Sequence, residues 1–330
     1  METAIDAGPP DSFPGSPETM LSILLIVLPV FALILTGWVV RRVGVMGPQA
    51  AGELNRFVVY LALPALLFDI ISRAKLAEVW QPGFIASFGL GCVLVFFLTL
   101  LIRRRGDVSL ADAALDALGS SYANTGYMGF PLALAVFGTT AMTPTLIASI
   151  ITVCAIFAVA IVLIEIGLQQ ERRIGKLVMK VGLSLAKNPL LVAPLLGAIF
   201  PLTGTPVPEA GTSFLKLLGG AASPCALVSL GLFLAEKREA KDNDPGTVPL
   251  LIGLKLILQP LATWGLATWV FRLPPSLAQP AVLLAALPTG TGPFMLAEFY
   301  RREAGVTSKV IIGSTVLSVV TITGYLAFGR

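Results

Sequence analysis

The sequence of 330 residues contains no histidine. This absence excludes Ser-His-Asp triads, HExxH zinc sites and histidine proton relays in one step. The three cysteines, Cys92, Cys154 and Cys225, fall inside apolar runs, and none has the spacing of a CxxC motif or a metal site. The sequence also has no P-loop, which argues against a primary pump. We therefore expect no metal, no cofactor and no catalytic residue, so the protein is not expected to be an enzyme.

Charge is scarce as well. Charged residues make up 13% of the chain, whereas a typical soluble domain has about 25%. The mean hydropathy is +0.86, and long apolar runs occupy nearly the whole sequence. No basic patch is interleaved with aromatic residues, so nucleic acid is not an expected partner. The composition predicts an all-α polytopic membrane protein surrounded by a lipid bilayer.

A membrane-spanning helix needs about 20 predominantly apolar residues. Ten runs of roughly this kind can be recognised, of which the sixth is short and interrupted by Pro194. The predicted spans are Met20–Val40, Leu54–Ser72, Gly83–Ile102, Ala111–Phe137, Pro144–Leu168, Pro189–Leu202, Ala210–Ala235, Val248–Phe271, Ala278–Phe299 and Thr307–Phe328.

The distribution of basic residues predicts the topology. If the amino terminus lies outside, the inner connections hold 16 Lys and Arg residues and the outer face holds five. Such a bias is typical of cytoplasmic loops. We expect a multi-pass protein of the cell (inner or plasma) membrane with both termini outside the cytoplasm. Residues 1–19 carry four acidic groups, four prolines and no Lys or Arg, which predicts a disordered tail or a start of the native protein at Met20.

Ten spans divide into two sets of five, residues 20–168 and 188–330, joined by a basic amphipathic cytoplasmic connector at residues 169–187. The connector could equally lie on the inner membrane surface or form a solvated linker. Because five is an odd number, the two sets insert in opposite orientations. Pro64 precedes Asn124 by 60 residues, and Pro224 precedes Pro288 by 64. This correspondence predicts two inverted repeats.

Two stretches interrupt apolar runs with helix-breaking residues. They are Ala123–Pro131 (ANTGYMGFP) in span 4 and Leu287–Phe294 (LPTGTGPF) in span 9. Each proline removes a helical N–H group and crowds the carbonyl four residues earlier, while the glycines loosen the same turns. A packing kink explains a single proline. Paired interruptions in corresponding positions of two halves instead indicate a transporter's binding site.

The direction of the chain predicts the chemistry of that site. In both spans the second half-helix begins at the break, so two helix N-termini would face the membrane midplane from opposite sides. Each carries about half a positive charge and free N–H donors, which suits a carboxylate. We predict substrate contacts at Asn124, Thr125, Gly126, Thr289, Gly290 and Thr291. We predict that the crossing is shaped by Pro64, Gly129, Pro131, Pro288 and Pro293.

Few ionisable residues lie near the spans. Asp69 could form a surface pair with Arg73 one helical turn later, or could take part in coupling. Glu298 is the best intramembrane candidate for coupling to protons or for substrate contact, although Arg301 and Arg302 are close enough in sequence to neutralise it. Lys255 is expected to snorkel toward the inner face.

The two interrupted stretches resemble the auxin efflux carrier family, which contains plant PIN-type auxin carriers and bacterial carriers of organic acids such as malonate and malate. The resemblance covers nearly the whole chain and is most specific over residues 124–131 and 287–298. It implies ten helices in two inverted repeats, related to the bile acid/sodium symporter fold, with broken helices 4 and 9 that cross. It also implies elevator-like alternating access, a homodimer, and Asn124 as a substrate contact.

The bacterial organic-acid branch is the closer analogy. The plant proteins usually have proline where this chain has Ala123, and their long cytoplasmic loop is replaced here by residues 169–187. We therefore expect a secondary carrier of a small organic anion, with proton or sodium coupling left open. A sodium-coupled symporter of the bile-acid type is the main alternative. An intramembrane aspartyl protease would need a second aspartate opposite Asp69, and a receptor that had lost transport would not need both breaks.

Overall fold

The computed structural model describes residues 17–106, 108–169, 174–236 and 246–328. All regular structure within these ranges is helical, and their one β-type pairing is an isolated antiparallel bridge between Ala123 and Thr289. The predicted all-α fold is confirmed at this level.

The helices of the described residues carry the labels used below. They are α1 (Pro17–Arg42), α2 (Ala50–Ser72), α3 (Leu76–Val79), α4 (Pro82–Arg104), α5 (Leu110–Ser121), α6 (125–137), α7 (142–168), α8 (Ile174–Lys187), α9 (Pro189–Thr203), α10 (Glu209–Ala235), α11 (Thr247–Val270), α12 (Pro275–Ala286), α13 (Gly292–Phe299) and α14 (Gly305–Phe328).

Within the described ranges, six helical runs are long and apolar enough to cross a bilayer, and Val178–Lys187 with α9 would make a seventh only if this pair, bent by 68°, formed one span. One of the six, Thr125–Leu168, combines α6 and α7. Gly138 between them has a φ of +70°, and the start of α7 packs back against both halves of α6. The chain therefore reverses at Gly138. By length and composition these runs indicate a multi-pass membrane protein, while the ten-span inverted repeat stays a prediction.

Proline widens two of the long helices. The N–H of Leu63, just before Pro64, bonds the carbonyl of Val58. The N–H of Gln259, just before Pro260, bonds the carbonyl of Leu254 in the same five-residue spacing. A proline ring crowds the preceding turn and offers no N–H of its own, so each helix takes one π-type turn there.

The helices pack in two groups. The first group contains α1, α2, α9 and α10, and the second contains α4, α5, α6, α7, α11, α12, α13 and α14. Within the first group, α1 and α10 cross very closely: a Cβ atom on Gly37 would overlap the carbonyl oxygen of Val228, and one on Gly231 would overlap that of Ile34. Small residues permit such close approach of helix backbones in a membrane.

Two predicted segments lie only partly within the described ranges. Residues 1–16 of the predicted tail lie outside them, and residues 17–19 form the first turn of α1. Residues 170–173 of the connector also lie outside, and the rest of it forms α8. Val178, Met179 and Leu183 of α8 expose large apolar side chains, which favours contact with the membrane surface over a solvated linker.

Candidate substrate site at the crossing of two broken helices

The first break separates α5 from α6. Helix α5 starts with Ser109 as its cap, whose hydroxyl accepts the N–H of Asp112 at 3.1 Å, and it ends at Ser121. The backbone then leaves the helical conformation at Tyr122 (φ −85°, ψ 93°) and Asn124 (φ −76°, ψ 55°). The carbonyl of Asn124 already accepts from the N–H groups of the next turn. A new helix N-terminus therefore starts directly at Asn124.

The second break separates α12 from α13. Leu287, which precedes a proline, is extended (φ −58°, ψ 149°), as a residue before proline tends to be. Helix α13 begins at Gly292 with Pro293 in its first turn, where the missing N–H would lack a helical partner in any case. This break also produces a helix N-terminus.

The two breaks pair with each other. The N–H of Asn124 donates to the carbonyl of Pro288 at 2.9 Å, and the N–H of Gly290 donates to the carbonyl of Tyr122 at 3.0 Å. Residues 123 and 289 form the antiparallel bridge between these two bonds. Non-helical backbone at membrane depth needs internal partners because lipid offers none. Each break supplies those partners to the other.

Glycine in the second break makes room for an aromatic ring from the first. A Cβ atom on Gly290 would lie 2.8 Å from Cε1 of Tyr122, and one on Gly292 would lie 2.7 Å from Cζ of the same ring. Tyr122 is buried and also packs against Phe157, with ring centroids 5.7 Å apart. The two glycines are therefore required by the close contact and not only by the backbone turn.

A cavity of about 230 Å³ lies at the crossing, on the boundary between the two packing groups. One wall carries the first residues of α6 and α13, and the other comes from α2 and α10. The lining consists of Leu63, Leu66, Tyr122, Ala123, Asn124, Gly126, Tyr127, Val153, Gly219, Gly220, Ala222, Ser223, Pro224, Thr291, Gly292 and Met295.

The cavity wall is rich in unused hydrogen-bond donors. The N–H groups of a helix's first turn have no intrahelical acceptor, and Gly126 and Tyr127 occupy that turn of α6. Among the described residues, none forms a hydrogen bond with the side-chain amide of Asn124. Two N-termini, each with about half a positive charge, meet at this wall. The arrangement favours a bound anion without any buried arginine.

The predicted contact residues separate into two sets. Asn124, Gly126 and Thr291 line the cavity. Thr125, Thr289 and Gly290 do not line it: Thr125 is 0% exposed and Thr289 is 1% exposed, and the N–H of Gly290 is used in the pairing of the breaks.

Thr289 is held by two contacts away from the cavity. Its hydroxyl donates to the carbonyl of Gly119 at 2.7 Å, and its N–H donates to the hydroxyl of Ser314 at 3.0 Å. These bonds fix the second break to α5 and α14.

The residues predicted to shape the crossing lie around the cavity. Pro64 follows the lining residue Leu63, and its counterpart Pro224 lines the cavity itself. Pro131 and Pro293 stand in the first turns of the regular helical segments that follow the breaks, and the Pro288 carbonyl anchors Asn124. A Cβ atom on Gly129 would lie 3.3 Å from Leu284 of α12, so this glycine allows α6 and α12 to approach each other.

The two candidate coupling carboxylates lie elsewhere. Asp69 forms the predicted ion pair with Arg73, but it is only 5% exposed, so the prediction of a surface pair is wrong for its acidic partner. Glu298 lines a separate, wider cavity of about 440 Å³ together with Arg56 and Arg301. It lies seven residues after Thr291, about 10 Å along the helix. The Glu298 side chain is therefore distant from the crossing.

The expectation that Lys255 snorkels is wrong. Its side chain is 0% exposed, and its ammonium donates to the carbonyl of Ala285 at 2.7 Å. One turn later on α11, the amide of Gln259 donates to the carbonyl of Ser121 at 3.0 Å. Sequence reasoning missed both contacts. An ionisable residue seven positions inside a predicted span, with a polar residue four positions later, was the signal that could have found them.

Two ion pairs connect α5 to neighbouring helices at a distance from the breaks. Arg302, just after α13, donates from Nε to Oδ1 of Asp112 at 2.7 Å, near the start of α5. Arg103 at the end of α4 donates to Asp116 of α5 at 2.8 Å. Helices α5 and α13 are thus joined by backbone pairing at the breaks and by charge at their other ends.

Comparisons with known proteins agree with this architecture. A family model described as "Membrane transport protein" matches residues 22–326. A protein of Rhizobium meliloti named putative malonate transporter is 32% identical over 93% of this chain and 96% of its own length. An uncharacterized transporter of Methanothermobacter thermautotrophicus is 30% identical over 94% of this chain and 97% of its own length.

A plant protein extends the comparison. Auxin efflux carrier component 8 of Arabidopsis thaliana is 22% identical over 86% of this chain and 91% of its own length. The resemblance inferred from the two interrupted stretches is therefore confirmed by the family model over nearly the whole chain. The chain belongs to the membrane transport protein family, which includes the auxin efflux carriers.

Proposed function

We propose that this protein is a secondary transporter of a small organic anion, a carboxylate, which binds in the cavity at the crossing. The observation that carries the proposal is the meeting of two helix N-termini at one cavity wall, with the Asn124 amide free to bind. No Asp or Glu is among the described residues that line this cavity. Asn124, Gly126 and Thr291 are the proposed contacts.

The electrostatics fit a carrier that must release its cargo. Two N-termini of about half a charge each balance roughly one negative charge, and the donors are neutral groups. Binding of this kind attracts a carboxylate without the strong bidentate pairing that an arginine would form. The name of the Rhizobium relative makes malonate the first probe. The cavity volume of about 230 Å³ suits an acid of a few carbon atoms.

The packing of the helices supports alternating access of an elevator-like kind. The cavity lies between the two packing groups, so a displacement of one group against the other would carry the bound anion with the crossing. The amide of Asn55 on α2 contacts the carbonyl of Met295 on α13 at 3.4 Å. Met295 lines the crossing cavity and Asn55 lines the wider one. This contact is the proposed barrier between the two cavities.

The remaining features of the proposal concern the protein in its membrane. We place ten spans in two inverted repeats in the cell membrane, with both termini outside the cytoplasm and with a homodimer as the working unit. Helices α2 and α10 each carry a proline near the cavity and pack against each other to form one of its walls, which supports a repeat relation.

The test is uptake of labelled malonate into proteoliposomes, with unlabelled mono- and dicarboxylates as competitors. We expect uptake by the wild type and a loss of about tenfold or more for Asn124→Ala, with unchanged membrane insertion and melting temperature. Thr203→Ala, which changes an exposed hydroxyl bonded within its own helix, is the matched control and should transport normally. Unchanged uptake by Asn124→Ala would remove the crossing from the mechanism.

A sodium-coupled symporter of the bile-acid type differs from this proposal in one measurable respect, its requirement for sodium. Uptake in sodium-free medium separates the two.

A further inference from the structure

Lys255 is a buried cation in the membrane interior. Its side chain is fully buried in α11, and the carbonyl of Ala285 is its hydrogen-bond acceptor. Within the described ranges, no carboxylate forms a salt bridge with it. A charged ammonium in such a place is costly unless other groups compensate it, and an ionisable residue inside a membrane span points to a functional role.

The compensation comes from the ends of the half-helices. Ala285 lies in the last turn of α12, where carbonyl groups lack helical partners and the helix end carries about half a negative charge. Ser121 is the last residue of α5, and its carbonyl accepts from Gln259, four residues after Lys255. Residues four apart share a helix face. One face of α11 therefore donates to the C-terminal ends of both half-helices.

The partial charges of the helix ends at the crossing can each be balanced by an opposite charge. On the cavity side, two N-termini sum to about one positive charge and face the proposed anion. At the ends of α12 and α5, two C-termini sum to about one negative charge; the Lys255 ammonium binds a carbonyl of one, and the Gln259 amide binds a carbonyl of the other. In other transporters with broken helices, half-helix C-termini and freed carbonyls coordinate the coupling sodium or proton. Here the amine of Lys255 binds such a carbonyl, that of Ala285 in the last turn of α12.

Lys255 lies in the widened turn Leu254–Leu258 of α11, ahead of Pro260. The amide of Gln259 also contacts Sγ of Cys92 on α4 at 3.1 Å, so this face of α11 joins three helices of the second packing group.

We infer that Lys255 is a resident cation that takes the place of a coupling sodium ion at the crossing, so that the carrier works without sodium. The transport readout of this inference rests on the proposed function, whereas the melting readout described below does not.

The transport test compares sodium with choline in the medium and Lys255→Met with the wild type. We expect wild-type uptake to agree within about twofold in the two media. Lys255→Met keeps the length of the side chain but removes its charge and its donor, and should reduce uptake by about tenfold or more. Its melting temperature should be unchanged or higher, because an apolar side chain replaces a buried charge.

Lys216→Met, which neutralises an exposed lysine, is the matched control and should transport normally. Sodium-dependent uptake by the wild type, or normal uptake by Lys255→Met, would overturn the inference.

The melting test uses Lys255→Ala, which vacates the space of the amine and frees the Ala285 carbonyl. Sodium chloride should raise the melting temperature of this variant above its value in choline chloride at equal ionic strength, and should not do so for the wild type. Equal melting of the variant in both salts would overturn the inference. If no carboxylate is transported by the wild type, the proposed function fails while this comparison still decides the role of Lys255. If Lys255→Ala does not fold, the transport comparison decides it.

Discussion

The two breaks look alike in sequence and differ in structure. Both combine Thr, Gly and Pro in the middle of an apolar run. In the first break, the Asn124 side chain is partly exposed, and a Cβ atom on Gly126 would meet only open space. In the second break, residues 287–290 are all buried. The first break presents Asn124 and Gly126 to the cavity, whereas residues 287–290 hold the crossing in place and the second break lines the cavity only from Thr291 onward.

The difference follows from what surrounds each break. Ser314 of α14 and Gly119 of α5 bind the two polar groups of Thr289, and the ring of Tyr122 covers the glycines. The side chain of Asn124 has the cavity beside it instead. Similar sequence motifs can therefore have different roles within one site, because neighbouring helices determine which polar groups remain without a hydrogen-bond partner in the protein.

The largest expected effect comes from adding a methyl group to the second break. Gly290→Ala would place Cβ 2.8 Å from the Tyr122 ring, and overpacking of this kind costs about 1–3 kcal/mol. Because the ring and the backbone pairing share this contact, we expect both a lower melting temperature and near-complete loss of uptake. Gly253→Ala, where a Cβ atom meets open space, is the control. Normal uptake by Gly290→Ala would mean that the breaks do not need their close contact.

Thr289→Val separates the structural role of the second break from substrate binding, because it should affect stability more than transport. The substitution keeps the shape of the side chain but leaves the Gly119 carbonyl without its donor, at a cost of about 1–3 kcal/mol. Uptake per folded molecule should stay close to that of the wild type, whereas Asn124→Ala should show the opposite pattern. Melting curves and uptake normalised to folded protein measure both. A transport defect in Thr289→Val without loss of stability would place this hydroxyl in the cavity chemistry.

The smallest expected effect is that of Pro288→Ala. The variant lets α12 continue more easily through the break, but the carbonyl of residue 288 can still accept from Asn124. Removing a proline in a compatible conformation costs about 0.4–1 kcal/mol. We therefore expect uptake to decrease about two- to fivefold, the ratio that corresponds to this free energy. Wild-type turnover would show that the backbone pairing alone keeps the ninth predicted span broken.

The sequence located both breaks because proline and glycine act on the backbone within a few residues. Proline spacing also predicts that Pro64 and Pro224 belong to corresponding helices; Pro224 lines the cavity and Pro64 directly follows the lining residue Leu63, while the correspondence itself stays a prediction. The inward or outward orientation of Thr289 could not be read in this way, since it depends on Ser314 and Gly119 from distant helices.

The burial of charged side chains could not be predicted from the sequence either, because it also depends on helices that are distant in the chain. Apolar patterning shows that α11 spans a membrane but not which of its faces meets lipid and which meets protein, so Lys255 was assigned to the wrong environment. Asp69 shows the same limit, because its pairing with Arg73 is local while its burial depends on the packing of α2 against other helices.

The most direct test of the central claim is calorimetric titration of purified protein with malonate and related carboxylates. We expect saturable binding by the wild type and by Thr289→Val, and a loss of binding in a folded Asn124→Ala variant. Undiminished carboxylate binding by Asn124→Ala would contradict the claim that the paired half-helix N-termini form the anion site.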